Sequence, residues 1–265
     1  MIEHRWQLLL LGWAVASALL GALYFVQRRT GDATAVDAGW AGSLAVLACL
    51  YAALGPGDLS HRLLIASMAG LENLRVALLV LRRLGKGEDT RYRELRARWR
   101  ARGREQRTFA VFYQAQAFVA VALSGPLLLA SFNRHQGVEP IEWAGAALWL
   151  FAALMGHVSD RQLTRFKADA ANKGKTMRSG LWRYSRHPNY FFQSLTWLAY
   201  ALVAAAAPWG WIAFASPALI LYLILYVTGV PPAEEQALKS RGDDYRRYQR
   251  ETSVFVPWFP KSSTT

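Results

Sequence analysis

Between residues 160 and 193 the chain crowds cationic, aromatic and amide side chains together. Asp160 is followed by Arg165 and Lys167, then by Asn172, Lys173 and Lys175, then by the run Gly180-Leu181-Trp182-Arg183-Tyr184-Ser185-Arg186-His187-Pro188-Asn189-Tyr190. Arginine neutralises phosphate through a bidentate fork and lysine as a point charge. The rings of Trp182, Tyr184 and Tyr190 offer faces to a nucleobase, and Asn189 carries both a donor and an acceptor. That set suits an adenine nucleotide with phosphates. It also suits a cationic loop beside a membrane with aromatics at the interface, and residue types alone leave both readings open. A plain connection between helices needs only a few residues, whereas this stretch runs to roughly 30.

The elements that must position these residues are apolar helices. Of 265 residues 53% are hydrophobic, yet the formal net charge is +13, so the two properties must be segregated along the chain. Apolar stretches near the ~20 residues needed to cross a bilayer occupy 7–26, 36–54, 61–81, 109–131, 140–157, 190–208 and 211–230. In lipid each span must satisfy its own backbone hydrogen bonds, and nothing here alternates like a barrel strand. The fold class is therefore all-α, a seven-transmembrane-helix bundle in a single membrane domain, 1–265. Residues 1–135 form the half expected to hold a lipid substrate, and 136–265 the half expected to hold a cofactor.

Charge orients the spans. The segments after spans one, three and five and the tail carry two, eleven, eight and six Lys or Arg, against only Arg5, Arg62 and Arg134 in the N-terminus and the other loops. The positive-inside rule then places the N-terminus outside and the C-terminus in the cytosol, as in a bacterial cytoplasmic membrane. Basic blocks beside spans serve topology and contact with anionic lipid, so a nucleic-acid partner is not expected. The stretch 91–107 interleaves Arg with Glu and reads as a solvated helix lying on headgroups. Cys49, the single cysteine, sits in a span and excludes both a disulfide framework and a thiolate metal site. His4, His61 and His135 fall near span ends and read as interfacial, and no histidine pair has metal-ligand spacing, so no metal is expected. The first apolar stretch is too long for a signal-peptide core and is kept as a helix. Pro231-Pro232 closes the last span and opens a short polar helix over 233–241. The aromatic tail after it is expected to fold back on the spans.

Residues Gly180 to Tyr190, preceded by Ser159-Asp160-Arg161-Gln162 and followed by Tyr245, Tyr248 and Phe255-Val256-Pro257, resemble the steroid 5α-reductase superfamily. The resemblance is closer still to its bacterial branch of uncharacterised membrane proteins, DUF1295. It implies a seven-helix membrane reductase that takes NADPH from the cytosolic side and reduces a carbon–carbon double bond in a lipid or steroid-like substrate. By the same resemblance Asp160 would bind the cofactor, with Arg165 or Lys167 near a phosphate. Arg186, His187, Asn189 and Tyr190 would line the nucleotide, and Glu234 or Glu235 would close the site from the last helix; Asn172, Lys173, Trp182 and Tyr245 join them as candidate cofactor-binding residues on their own side-chain chemistry.

The sequence departs from that family in two places. Glu72 stands where the reductases place a proton-donating Tyr, and Phe192-Gln193 stands where many relatives have Gly-Glu. An ionisable residue inside a span costs a few kcal/mol unless paired, so Glu72 is either half of an i,i+3 ion pair with Arg75 or a protonated acid that donates to the reduced carbon. Tyr113, in span four beside Gln114 and Gln116, is the second candidate donor; the amides there either bridge helices or line a cavity. A different enzyme class shares part of the motif. Isoprenylcysteine carboxyl and phospholipid N-methyltransferases also carry an Arg-His-Pro-x-Tyr run, a downstream Glu-Glu pair and a Tyr-rich tail, and would hold S-adenosylmethionine instead. The basic residues around Asp160 favour a cofactor with several phosphates, which S-adenosylmethionine lacks.

Overall fold

The computed structural model describes residues 1–261 apart from 83 and 86. Arg83 and Lys86, counted above among the basic residues after span three, lie outside the described residues. All regular structure among the described residues is helical: α1 Arg5–Thr30, α2 Ala35–Leu54, α3 Leu59–Leu81, α4 Thr90–Ala101, α5 Glu105–Leu123, α6 Gly125–Ala130, α7 Pro140–Ala168, α8 Pro188–Ala205, α9 Ala215–Tyr222, α10 Val230–Arg241 and α11 Asp243–Glu251. Among the described residues, five stretches are long and apolar enough to cross a membrane: α1, α2, α3, α7 and the interrupted segment Gly210–Arg241. The other two expected spans are also helical, as α5 and α8, but amides and aromatics dilute their apolar character.

Three boundaries differ from the hydropathy reading. Span four is divided: α5 ends at Leu123 and α6 begins at Gly125, with Pro126 in the first turn of α6. Proline lacks the N–H that would continue the ladder and its ring clashes with the carbonyl four residues back. The Ser124 hydroxyl caps the break by bonding the Val121 carbonyl at 2.8 Å, and it meets the Tyr51 hydroxyl at 3.2 Å. Span five runs on. α7 continues to Ala168, because Arg, Gln, Leu and Lys are good helix formers after the apolar stretch ends. Asp160, Arg165 and Lys167 therefore belong to that helix and do not follow it. The last span changes pitch through a π-turn at Leu223–Val227. There the Thr228 N–H reaches the Leu223 carbonyl at 2.7 Å, and a Cβ on Gly229 would stand 2.6 Å from the Ile224 carbonyl oxygen, so the backbone passes too close for a side chain. The turn rotates the faces of α10 relative to α9. Pro231 and Pro232 then start α10 where no amide is required.

The chain forms two compact units, 1–143 with 200–216 and 144–199 with 217 onwards. In the first, α2 packs along α3 and along α1, and α1 packs along α5. The buried stripe of α1 is Leu8, Gly12, Ala16, Leu20 and Gln27, with i,i+4 spacing as far as Leu20. The arginine-rich stretch after α3 is docked and not merely solvated. Tyr92 and Arg96 of α4 are buried, Arg96 bonds Glu88 at 2.7 Å and Glu105 at 2.6 Å, and its guanidinium lies 4.7 Å from the centre of the Phe109 ring. Glu88 also accepts from the Ala33 amide, and Asp37 accepts from Arg91 and Tyr92, so α4 is fastened to the start of α2. In the second unit Phe192 of α8 packs edge-on to Phe151 of α7, and α10 packs on α11.

His61 corrects an expectation. It is fully buried and not interfacial. Its Nε2 donates to the His135 carbonyl at 2.8 Å while Nδ1 meets Glu142 Oε1 at 2.7 Å, and Glu142 is buried as well. Removing one member of such a pair leaves a buried polar partner uncompensated, whereas replacing both removes the penalty. Glu142→Leu is expected to destabilise the protein by about 3 kcal/mol, and the double variant His61→Leu/Glu142→Leu to recover part of that loss. Reversible unfolding in mixed micelles reads both values.

Candidate functional site

The second unit gathers most of the sequence-nominated residues, and it does so around a framework made by the tail. The Gly180–Arg183 turn starts at Gly180 with φ +60°, where a Cβ would meet the Gln162 amide at 2.5 Å. Gln162 Oε1 instead accepts from the Leu181 amide at 3.0 Å and ties the turn to α7. Trp182 is buried and its Nε1 donates to the Ser159 carbonyl at 3.0 Å, so this indole is committed to the framework. The tail supplies the other side. The Tyr248 hydroxyl donates to the Trp182 carbonyl, the Ser185 hydroxyl to the Phe255 carbonyl at 2.7 Å, the Arg186 amide to the Ser253 carbonyl at 2.8 Å and the Trp258 amide to the Tyr184 carbonyl at 2.9 Å. The expected fold-back of the aromatic tail is thus made by hydrogen bonds as well as by ring packing.

On that framework Glu234 of α10 is a hub. Its Oε1 lies 3.3 Å from His187 Nε2 and 3.4 Å from the Tyr245 hydroxyl, and its Oε2 accepts from Gln249 Nε2 at 2.7 Å. Arg186 Nε stands 3.0 Å from Oε1 without its N–H aimed at that oxygen, so this contact is electrostatic and leaves the Nε donor without a hydrogen bond. His187 lies flat on Tyr190, ring centres 5.3 Å apart with 4° between the planes, as residues one turn apart on α8 and its approach. Next to them Asn189 Nδ2 donates to Asp160 Oδ1 at 3.3 Å, while the buried Asn189 Oδ1 has no partner within the protein. Burial opposes ionisation of Tyr245, and the adjacent Glu234 charge pushes the same way, so its phenol is held well above its ordinary value as a neutral donor.

Not every nominated residue joins this cluster. Arg165, Lys167 and Lys173 are exposed, at the end of α7 and just beyond it. Asn172 donates to the Phe166 carbonyl at 3.1 Å and so closes the end of α7. Glu235 is exposed and pairs with Lys239 at 2.7 Å, which leaves Glu234 as the acidic residue of the cluster. Glu72 and Tyr113 belong to the other unit. Glu72 forms the i,i+3 pair, with Arg75 Nη2 at 2.6 Å from its Oε1. Tyr113 is fully buried with its hydroxyl unpartnered, and neighbouring Gln114 bridges helices by donating to the Ser17 carbonyl at 3.3 Å. Sequence reasoning missed Gln249, which completes the hub, and the Arg178–Asp244 pair at 2.7 Å, which pins the start of α11. Their signal was weak: one amide and one ion pair in a strongly charged stretch.

Two observations bear on whether these residues would fit a dinucleotide. Asn189 Oδ1 is a buried acceptor in want of a donor, such as an amide or amino group, beside a carboxylate that suits a hydroxyl. The exposed cations at the end of α7, in the same unit, are of a type that neutralises phosphate.

A family model described as a protein of unknown function (DUF1295) matches residues 23–252. The uncharacterised protein C594.04c of Schizosaccharomyces pombe is 26% identical over 238 residues, which cover 78% of this chain and 67% of its own length. No solved structure matches.

Asp244 gives the framework a pH dependence. Burial opposes its ionisation, but hydrogen bonds from Thr176 and the charges of Arg178 and Arg241 outweigh that and hold the carboxyl below its usual range. A carboxyl with a depressed folded-state pKa stabilises at pH values above its unfolded pKa, and that contribution is lost as pH falls through the folded one. Asp244→Asn is therefore expected to lower the melting temperature of the detergent-solubilised protein at pH 7. The gap to the parent should close towards pH 3.

Proposed function

We propose, from the premise that this chain belongs to DUF1295, a steroid 5α-reductase-like family, that it is a membrane-embedded reductase of a carbon–carbon double bond in a hydrophobic lipid, using NADPH. The observation that carries the reading is the Asp160–Asn189 pair beside the Arg186–His187–Glu234–Tyr245 cluster. It places a buried amide acceptor, a carboxylate and a neutral phenol donor in one unit. The bound nicotinamide would supply hydride to one alkene carbon. The chain's own part is to bind, to orient and to deliver a proton. Asn189 and Asp160 would hold amide and hydroxyl groups, and Arg165, Lys167 and Lys173 would neutralise phosphates. Glu234 would fix the positions of Arg186 and His187. For the proton that the second carbon needs, the sequence nominates Glu72 and Tyr113, both in the first unit.

The apolar helices α1, α2, α3 and α5 would receive the lipid, in a membrane crossed seven times with the cationic segments in the cytosol. The distribution of Lys and Arg along the sequence supports that orientation. A second reading is retained because one contact favours it. Glu234 meets both Arg186 and His187, so the contact joins the Arg-His-Pro-x-Tyr run to the Glu-Glu pair, two motifs that membrane methyltransferases also carry.

Titration calorimetry of the purified protein with NADPH, NADH and S-adenosylmethionine separates the two. Saturable NADPH binding is expected, weakened at least about tenfold, or about 1.4 kcal/mol, by Arg186→Ala and by Asn189→Ala. Binding of S-adenosylmethionine alone would make the protein a methyltransferase.

A further inference from the structure

The first unit contains polar groups that its own fold leaves unsatisfied. Gln27 lies on the buried stripe of α1 with 1% of its surface exposed, and neither its Nε2 nor its Oε1 has a hydrogen-bond partner. The hydroxyl of Tyr113 on α5 is in the same condition in a residue with no exposed surface, and Gln106 Oε1, also on α5, is a third orphan. Burying an amide or hydroxyl without a partner costs on the order of 2 kcal/mol or more, so three together in one unit call for an occupant.

The packing of α1 on α5 brings all three to the same end of this helix pair. The two helices run antiparallel: Gln114 reaches the Ser17 carbonyl at 3.3 Å, and the Tyr24 and Tyr113 rings meet edge-on with centres 6.0 Å apart. Gln27 is one turn beyond Tyr24 on α1, which carries it towards the beginning of α5, where Gln106 lies two turns before Tyr113 on the same face. Above them Arg96 covers Phe109 and is itself fully engaged with Glu88 and Glu105. The exposed Arg28, Arg29, Arg104 and Arg107 mark this end as the level of lipid headgroups.

We infer that Gln27, Gln106 and Tyr113 form a seat for the hydroxyl head of a neutral lipid. The chemistry selects this class. The seat offers donors from Gln27 Nε2 and Tyr113 and acceptors from the Gln27 and Gln106 carbonyl oxygens, and a hydroxyl both accepts and donates. A ketone would leave the acceptors unpaired. A carboxylate would face two carbonyl oxygens with no hydrogen to donate to them. The depth, level with the basic residues that flank α1 and α5, is where the head of an amphipathic alcohol resides. The inference rests on the reductase reading only in calling that alcohol the substrate; the binding itself stands apart from any cofactor.

The test is equilibrium gel filtration of the full-length, detergent-solubilised protein with radiolabelled 1-hexadecanol and no nucleotide. Saturable binding is expected, at least tenfold stronger than that of hexadecane, 2-hexadecanone or hexadecanoate measured by competition. Tyr113→Phe, which keeps the ring, and Gln27→Leu should each weaken it about tenfold. Should Gln27→Leu fail to fold, Tyr113→Phe decides alone. Absence of saturable binding, equal competition by any of the other three, or binding indifferent to Tyr113→Phe would overturn the proposal and leave the seat as a place for ordered water. Failure of NADPH to bind would sink the reductase reading and leave this result untouched.

Discussion

A carboxylate with little contact with water is tolerated only where donors or positive charge surround it, and two segments supply them to Glu234. Arg186 and His187 come from the segment leading into α8, Tyr245 and Gln249 from α11, and Glu234 itself from α10. Removing any one donor leaves a desolvated charge less compensated, at a cost of about 1–3 kcal/mol. The hub therefore fixes the stretch 180–187, the last two helices and the start of α8 against one another. The framework bonds of Trp182, Ser185 and Tyr248 to the same segment hold the backbone that carries the hub's donors. Everything assigned to nucleotide binding in this unit, from the Asp160–Asn189 pair to the His187–Tyr190 stack, hangs on that arrangement.

Much of this was legible in the sequence because the residue types were dense and unusual for their place. A run with Arg186, His187, Asn189 and Tyr190 between two apolar stretches announces itself, and Pro231-Pro232 marks the start of α10 without reference to the fold. The choice between Glu234 and Glu235 was not legible. It depends on helical phase after a π-turn at 223–227, which shifts the faces of α10 in a way that no residue pattern announces. Gln249 and Asp244 were hidden for another reason: they act through contacts with residues about 15 and 66 positions away, respectively, and a polar tail offers many equivalent candidates.

Hydropathy was least informative where it averages over a single decisive residue. A window over 109–131 reads as one span, yet Pro126 ends the helix there and Ser124 seals the break. The opposite error occurs at 158–168, where the apolar signal stops but helix-forming residues carry α7 onward and place Asp160 on a rigid element. His61 and Glu142 show a third limit. Each alone resembles an interfacial residue near a span end, and only their pairing across the first unit reveals them as buried. Gln27 is similar: a glutamine at the end of an apolar helix looks interfacial until the stripe Leu8, Gly12, Ala16 and Leu20 shows which way it faces.

The central claim is that Glu234 positions Arg186 and His187 for a bound nucleotide and is not simply a structural ion pair. Glu234→Gln keeps the size and the hydrogen-bonding reach of the side chain while removing its charge, so it measures that claim with little disturbance of packing. NADPH affinity and melting temperature should be recorded on the same preparation. The account predicts a loss of affinity of about tenfold or more, about 1.4 kcal/mol, with the melting temperature shifted by only a few degrees. Unchanged affinity in a folded Glu234→Gln protein would contradict it.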